Sequence, residues 1–286
     1  MPDIDKDHKG SKIMADTGTI ETSHGRIAYA RSRADGPAIL LIHGNSSSKE
    51  AFANQLEAPE LADWRVVAID LPGHGASDDA ADPARSYTFG GYAGMVEEAA
   101  AALGLDRPVV FGWSLGGHIA LELIGRGFPA RGVMTSGTPP VRADVESLMA
   151  GFNIDPAAEN LTGKRDFTEE DVVAYTTHTS AVNGVVDPHL LAMCRRADGR
   201  ARETMFGSVV QGHALDEREI VATTQVPLAV VNGMDDVFIR ADYFDGLAWS
   251  SLWPDGVVRL EGAAHAPFLQ KPREFNALLA KFAANA

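Results

Sequence analysis

At 286 residues with 45% apolar side chains, the chain is long enough for one large α/β domain or two small ones, and for a substantial core. Its net charge of −14 is spread along the sequence, which argues against nucleic acid or an anionic membrane surface as a partner. The single cysteine, Cys194, excludes an internal disulfide and a thiolate zinc site, and the residues call for no metal or other cofactor.

Residues 1 to about 18 are polar and aperiodic and are expected to form a flexible tail. They lack the apolar centre of a secretory leader, and no apolar stretch reaches the length of a membrane span, so a cytoplasmic protein is expected. Ile20 to Arg31 predicts a hairpin turning at Ser23-His24-Gly25. Ala38 to Ile42 is a continuous apolar run of the kind buried on both faces of a parallel sheet. A helix pattern follows from Lys49 to about Leu61, then a strand from Trp64 to Ile69. Ser86 to Leu103 predicts a helix with Thr88 as a cap and Gly104 as its stop. A strand from Val109 to Gly112, a helical run Ile119 to Ile124, and a strand from Arg131 to Ser136 come next. Strands and helices alternating at this spacing predict an α/β fold with a mostly parallel, doubly wound sheet.

From 138 to 224 the alternation gives way to charged helical segments. This block is expected to be a helical cap inserted into a core made of residues 19–137 and 225–286. The sheet resumes at Pro227 to Val231 and at Gly256 to Leu260, and a helix from Pro272 to about Ala283 closes the chain.

The chemistry concentrates at Gly112-Trp113-Ser114-Leu115-Gly116, a Gly-x-Ser-x-Gly pattern between a strand and a helix. Such a turn pushes the serine out at the carboxyl end of the sheet, above a helix N-terminus, and its glycines allow backbone to approach closely. Ligands bind at the carboxyl ends of such strands, so the residues after the two later strands matter most. These are Asn232-Gly233-Met234-Asp235-Asp236-Val237-Phe238 and Glu261-Gly262-Ala263-Ala264-His265. A serine hydroxyl needs an imidazole to take its proton, and the imidazole needs a carboxylate to fix its tautomer. Ser114, Asp236 and His265 are therefore the expected catalytic set, with Asp235 competing for the acid role and read as a loop residue instead. The expected oxyanion donors are the Leu115 backbone N–H and Asn45, in the loop after the Ala38–Ile42 strand. His43 and His74, in tight glycine loops, are expected to be structural, and His118 to be packed in the helix that follows Ser114.

These motifs resemble the α/β-hydrolase superfamily over nearly all of residues 20–283, through His43-Gly44, Asp70-Leu71-Pro72-Gly73-His74-Gly75, Gly112 to Gly117, Gly233 to Asp236, and Gly262 to Pro267. Several stretches resemble one branch more closely, the metal-independent N-acylhomoserine lactonases: Glu21 to Ala28, His43 to Ser48, Phe111 to Ile119, Gly137 to Val141, and Asp198 to Arg202. The resemblance implies the α/β-hydrolase fold and opening of a quorum-signal lactone, with Ser114, Asp236 and His265 on the triad positions. That branch has glutamate where Asp236 stands. Asn45 and Trp113 match its pocket positions and Tyr175 a substrate-contacting tyrosine, while Thr176 to Gly184 departs from the branch.

The expected reaction is attack of Ser114 on the lactone carbonyl, with His265 passing the proton to the departing ring oxygen. Phe238 is expected to contact substrate, and Met149, Phe152, Met193, Met205, Phe206 and Val209 to pack the cap or receive an acyl chain. The expected partner is a small lactone or ester with an apolar acyl chain, taken up by a chain that favours the monomer. The alternatives are a carboxylesterase using the same residues and a non-catalytic hydrolase-fold receptor. Epoxide hydrolases and haloalkane dehalogenases need an aspartate where Ser114 stands.

Overall fold

The computed structural model describes residues 15–155 and 157–286. An eight-stranded sheet runs through it, made of β1 (Asp16–Thr22), β2 (Gly25–Arg31), β3 (Ala38–Ile42), β4 (Arg65–Ile69), β5 (Val109–Trp113), β6 (Gly132–Ser136), β7 (Leu228–Gly233) and β8 (Leu252–Leu260). Their order is β1-β2-β4-β3-β5-β6-β7-β8. β2 pairs antiparallel with both β1 and β4, and every other pair is parallel. This is the α/β-hydrolase fold.

β3 and β5 are buried at every position, which is why they read as unbroken apolar runs. Alternate residues serve opposite faces. Leu40, Ile42, Val67, Ile69, Val110 and Val133 join one cluster, packed with α1 (Phe89–Ala102) and α2 (Leu115–Gly125). Ile39, Leu41, Val66, Ala68, Val109, Phe111 and Met134 join the other, packed with Phe52, Phe268 and the helix at Pro272–Asn285. Each fully buried Leu, Ile or Phe contributes about 1.5–3 kcal/mol, so these layers fix where the strand ends lie.

Local departures from expectation have local causes. Asp16–Gly18 belong to β1 rather than to a tail, because the strand pairs with β2 from Asp16 onward; the rest of the expected tail, residues 1–14, lies outside the described residues. The helix expected from Lys49 to Leu61 is three short turns, Lys49–Phe52, Ala53–Leu56 and Pro59–Leu61. Pro59 forces the break by holding Ala58 extended (φ −67°, ψ 124°). Thr88 does cap α1, accepting from the Gly91 N–H at 3.0 Å, but Thr88 is itself extended and a separate turn, Pro83–Ser86, precedes it. α2 begins at Leu115, immediately after the serine.

Between β6 and β7 lie α3 (Val145–Gly151), α4 (Glu169–Ser180), α5 (Pro188–Arg196), α6 (Gly199–Val210) and α7 (Glu217–Thr223). Polar N-caps start all five: Asp144, Thr168, Asp187, Asp198 and Asp216 each accept from a first-turn backbone N–H. No helix among the described residues is long and apolar enough to cross a membrane.

Candidate active site

Ser114 occupies the tip of a strained turn. Its backbone has φ 53° and ψ −119°, a conformation rare for a residue with a side chain. The turn is held by Ser114 N–H donating to Ser136 O at 2.8 Å, and by the Thr138 hydroxyl donating to Ser114 O at 2.9 Å. The flanking glycines leave no space for a Cβ. One added at Gly112 would stand 2.2 Å from Gly116 O, one at Gly116 2.0 Å from Ile42 O, and one at Gly117 2.1 Å from Thr138 Oγ1. The serine is therefore set by close contacts on three sides, two to backbone carbonyls and one to the Thr138 side chain.

His265 and Asp236 arrive on the loops after β8 and β7. His265 Nδ1 lies 2.8 Å from Asp236 Oδ2, and both side chains are at most 4% exposed. The Asp236 Oδ1 accepts from the Phe238 N–H at 2.8 Å, which fixes the carboxylate plane. Asp235 points elsewhere: it is exposed, and its backbone N–H donates to Ala263 O. His265 is clamped from three sides. Trp113 Nε1 donates to His265 O at 2.8 Å, the Phe238 ring lies 4.7 Å away, and Gly137 (φ 63°) leaves room that a Cβ would take at 2.7 Å from His265 Cε1. Asn232, at the end of β7, secures Gly137 by accepting its N–H at 2.9 Å.

Ser114 and His265 line one cavity of about 330 Å³, a size that suits a single small ligand. Asn45, Leu115, Tyr175 and Phe238 line it too. Trp113 is not among its lining residues: its ring packs on Phe268 at 5.1 Å and on His265, so it steadies the His265 loop from beneath. Of the expected acyl-chain residues, Phe152, Met205, Phe206 and Val209 line the cavity, while Met149 is exposed on the outside and Met193 lies away from it. Leu115 N–H is the first of α2 and so has no acceptor within its helix. Neither it nor the Asn45 N–H meets a protein acceptor among the described residues.

The segment between β6 and β7 reaches the same place through side chains. Asn45 Nδ2 donates to Thr162 O at 3.0 Å, and the buried Tyr175 hydroxyl faces the side chains of Thr162 and Asn45. Burial pushes the Tyr175 hydroxyl well above the usual tyrosine range, so it stays protonated and able to donate. Arg202, 3% exposed, donates to Lys164 O, Arg165 O and Ser46 Oγ at 2.7, 2.6 and 3.0 Å, and lies over the Phe167 ring.

His43 and His74 are wholly buried and held by backbone. His43 Nε2 accepts from Leu71 N–H and its Nδ1 donates to Gly44 O; His74 Nε2 accepts from Ser46 N–H and its Nδ1 donates to Pro72 O. Burial lowers them to about 4 and about 3, and for His74 the neighbouring His43 adds to the effect. They are neutral struts. The roles of Gly137, Asn232 and Arg202 are not read from the motifs, although Gly137 and Arg202 lie in stretches that carry the closer resemblance and Asn232 in the segment after a late strand.

The family model described as the Alpha/beta hydrolase family matches residues 39–278. This chain belongs to that family. It is an α/β hydrolase of the kind that cleaves ester bonds. Among solved structures, a serine-to-glycine variant of the N-acyl homoserine lactonase AidH complexed with N-hexanoyl homoserine lactone is 45% identical, with 93% of this chain and 97% of that one covered and a TM-score of 0.88. A glutamate-to-glycine variant of AidH complexed with N-hexanoyl homoserine is 44% identical, covering 95% and 97%, with a TM-score of 0.90. A pimeloyl-[acyl-carrier protein] methyl ester esterase of Nitrosospira multiformis is 30% identical over 89% of this chain and 97% of its own length.

Proposed function

We propose that this hydrolase opens the lactone ring of N-acyl-L-homoserine lactones, and so acts as a quorum-quenching enzyme. Ser114 attacks the lactone carbonyl, and His265 accepts the serine proton while Asp236 holds its tautomer and balances its charge. The backbone N–H groups of Leu115 and Asn45 take the oxyanion, since both are uncommitted and both border the cavity. His265 then hands its proton to the ring oxygen as the C–O bond breaks, leaving an acyl-enzyme that still carries the alcohol. Water, deprotonated by His265, releases the acyl-homoserine and restores Ser114.

Opening a ring differs from cleaving a chain ester in one physical respect. The leaving alcohol stays tethered at high effective concentration, so ring closure competes with hydrolysis. The site must hold the alcohol away from the acyl carbon. Asn45 and Tyr175 meet beside Ser114 and supply hydroxyl and amide groups that can do so. The inserted segment, residues 138–224, acts as the cap that brings Tyr175 there and supplies apolar lining for the acyl chain.

The observation that carries this reading is the likeness to AidH across 93% of the chain at 45% identity. The likeness to a methyl ester esterase favours a second reading, an open-chain ester. Comparing kcat/KM for N-hexanoyl-homoserine lactone and methyl hexanoate separates them. A ratio of about 100 or more in favour of the lactone is expected, and a ratio below one would transfer the assignment to the esterase reading.

A further inference from the structure

A second histidine–carboxylate pair borders the cavity, and the mechanism does not use it. His118 stands one helical turn beyond Ser114 on α2, and its Nδ1 lies 2.8 and 3.0 Å from the two carboxylate oxygens of Glu217 at the start of α7. Glu217 is 2% exposed and also accepts the Val141 N–H at 3.0 Å, so both of its oxygens are occupied. The His118 ring stacks on Phe89 at 5.3 Å and tilts against Phe152 at 5.9 Å. With Nδ1 held and one face covered, the edge bearing Nε2 is what His118 offers to the cavity it lines. No hydrogen bond to that nitrogen is made by the described residues.

The surroundings make the pair unusual. Phe89, Leu148, Phe152, Met205 and Val209 form the apolar side of the cavity, and His118 is a hydrogen-bonding group set among them. Joining α7 to α2 requires no charge, and burying a carboxylate with its partner is often no better than an apolar contact of the same shape. A buried imidazole edge facing a ligand space instead discriminates: a chain with a matching polar group satisfies it, and a plain chain strips its water without replacement.

We propose that His118, oriented by Glu217, is a specificity-determining residue that recognises an oxygen substituent on the third carbon of the acyl chain. The spacing sets the position. Four helical residues advance about 6 Å along the axis from Ser114 to His118. In an acyl-homoserine lactone, five bonds separate the carbonyl carbon attacked by Ser114 from the third acyl carbon, roughly 6 Å at about 1.2 Å of advance per bond. Nδ1 donates to the carboxylate, so neutral Nε2 accepts from a hydroxyl and the imidazolium donates to a carbonyl. This assignment rests on the lactonase reading and refines it.

The experiment measures kcat/KM for the hexanoyl, 3-hydroxyhexanoyl and 3-oxohexanoyl homoserine lactones with the full chain and its His118→Leu variant. The native enzyme is expected to favour at least one oxygenated chain over the plain one by about 10-fold or more. In His118→Leu that ratio falls to about one, mainly through a rise in KM for the oxygenated chains. His118→Met, which has no strong hydrogen-bonding group, serves if the leucine variant does not fold, and the same collapse is expected of it. Which oxygenated chain wins distinguishes the accepting from the donating imidazole, and either result supports the assignment. Ratios equal in native and variant proteins would overturn it while leaving the lactonase reading intact. A native enzyme that opens none of the three lactones would remove both.

Discussion

The two sides of the cavity are built by different means. On the sheet side, close backbone approach adds to the side-chain contacts of Thr138, Trp113, Asp236 and Phe238: Gly112 and Gly116 press directly on neighbouring carbonyls, and Gly137 sits against the His265 ring. On the side of the helices between β6 and β7, position depends on side chains spanning loops, as with Arg202 reaching two carbonyls and a serine, and Asn45 reaching Thr162. Backbone contacts allow almost no adjustment, whereas a side chain can change rotamer at a cost of about 1 kcal/mol. On the proposed mechanism, the reacting groups lie where freedom is least and the substrate is shaped where it is greater. Changes on the sheet side should therefore act on kcat, and changes on the other side on KM.

The largest effect short of removing the nucleophile is expected from Asp236→Asn, which keeps the shape of the pair but loses its charge. Steady-state kinetics should show kcat down by about 10³–10⁴-fold with the melting temperature little changed. Asp235→Asn, one residue away and solvent-exposed, should stay within about twofold, and equal losses at both positions would refute the assignment of the acid. Gly137→Ala comes next. Its methyl group would have to displace His265, and a displacement of about 1 Å costs on the order of 10²-fold in kcat. A normal kcat in that variant would mean that the imidazole position is not set by this contact.

Arg202→Met should reverse the pattern. It strips the donors from Lys164 O, Arg165 O and Ser46 Oγ, so a tenfold rise in KM is expected with kcat held within about threefold. Unpaired buried acceptors should also lower the melting temperature, by roughly 5–10 °C. A fall in kcat without a change in KM would erase the distinction between the two sides.

The last effect concerns stability in acid and leaves catalysis aside. His43 is neutral when folded and titrates near 4, against 6.5 when unfolded. Between those values the unfolded chain binds more protons, so stability is lost as pH falls from about 6.5 and levels off below about 4. The shift corresponds to about 3 kcal/mol, and His74 extends the loss toward pH 3. Melting temperatures measured from pH 7.5 to 4.5 should decline steadily, and a flat profile would show that these histidines are not buried neutral.

Much of this arrangement is legible in the sequence for physical reasons. β3 and β5 are covered on both faces, and a short run that is apolar at every position is what such burial demands. Gly-x-Ser-x-Gly at a strand end describes a turn that only glycines permit. The choice of Asp236 over Asp235 follows from neighbouring turn residues pointing apart. Other features are hidden because they depend on distant partners. Trp113 reads as a residue beside the substrate, yet its indole N–H reaches the carbonyl of a residue 152 positions away. Arg202 and Glu217 sit in charged helical sequence that reads as solvated surface, and only tertiary packing buries them. The break at Pro59 is readable, but the helical periodicity around it outweighs it.

The proposed function stands or falls on Ser114 opening a lactone ring. The decisive measurement is acid release from N-hexanoyl-homoserine lactone, followed in a pH-stat with chelator present, for native protein and Ser114→Ala side by side. Rapid, chelator-resistant release by the native protein, reduced at least about 10⁴-fold in the variant, is the predicted result. Release that persists in Ser114→Ala, or its absence from a native protein that still cleaves p-nitrophenyl esters, would contradict it.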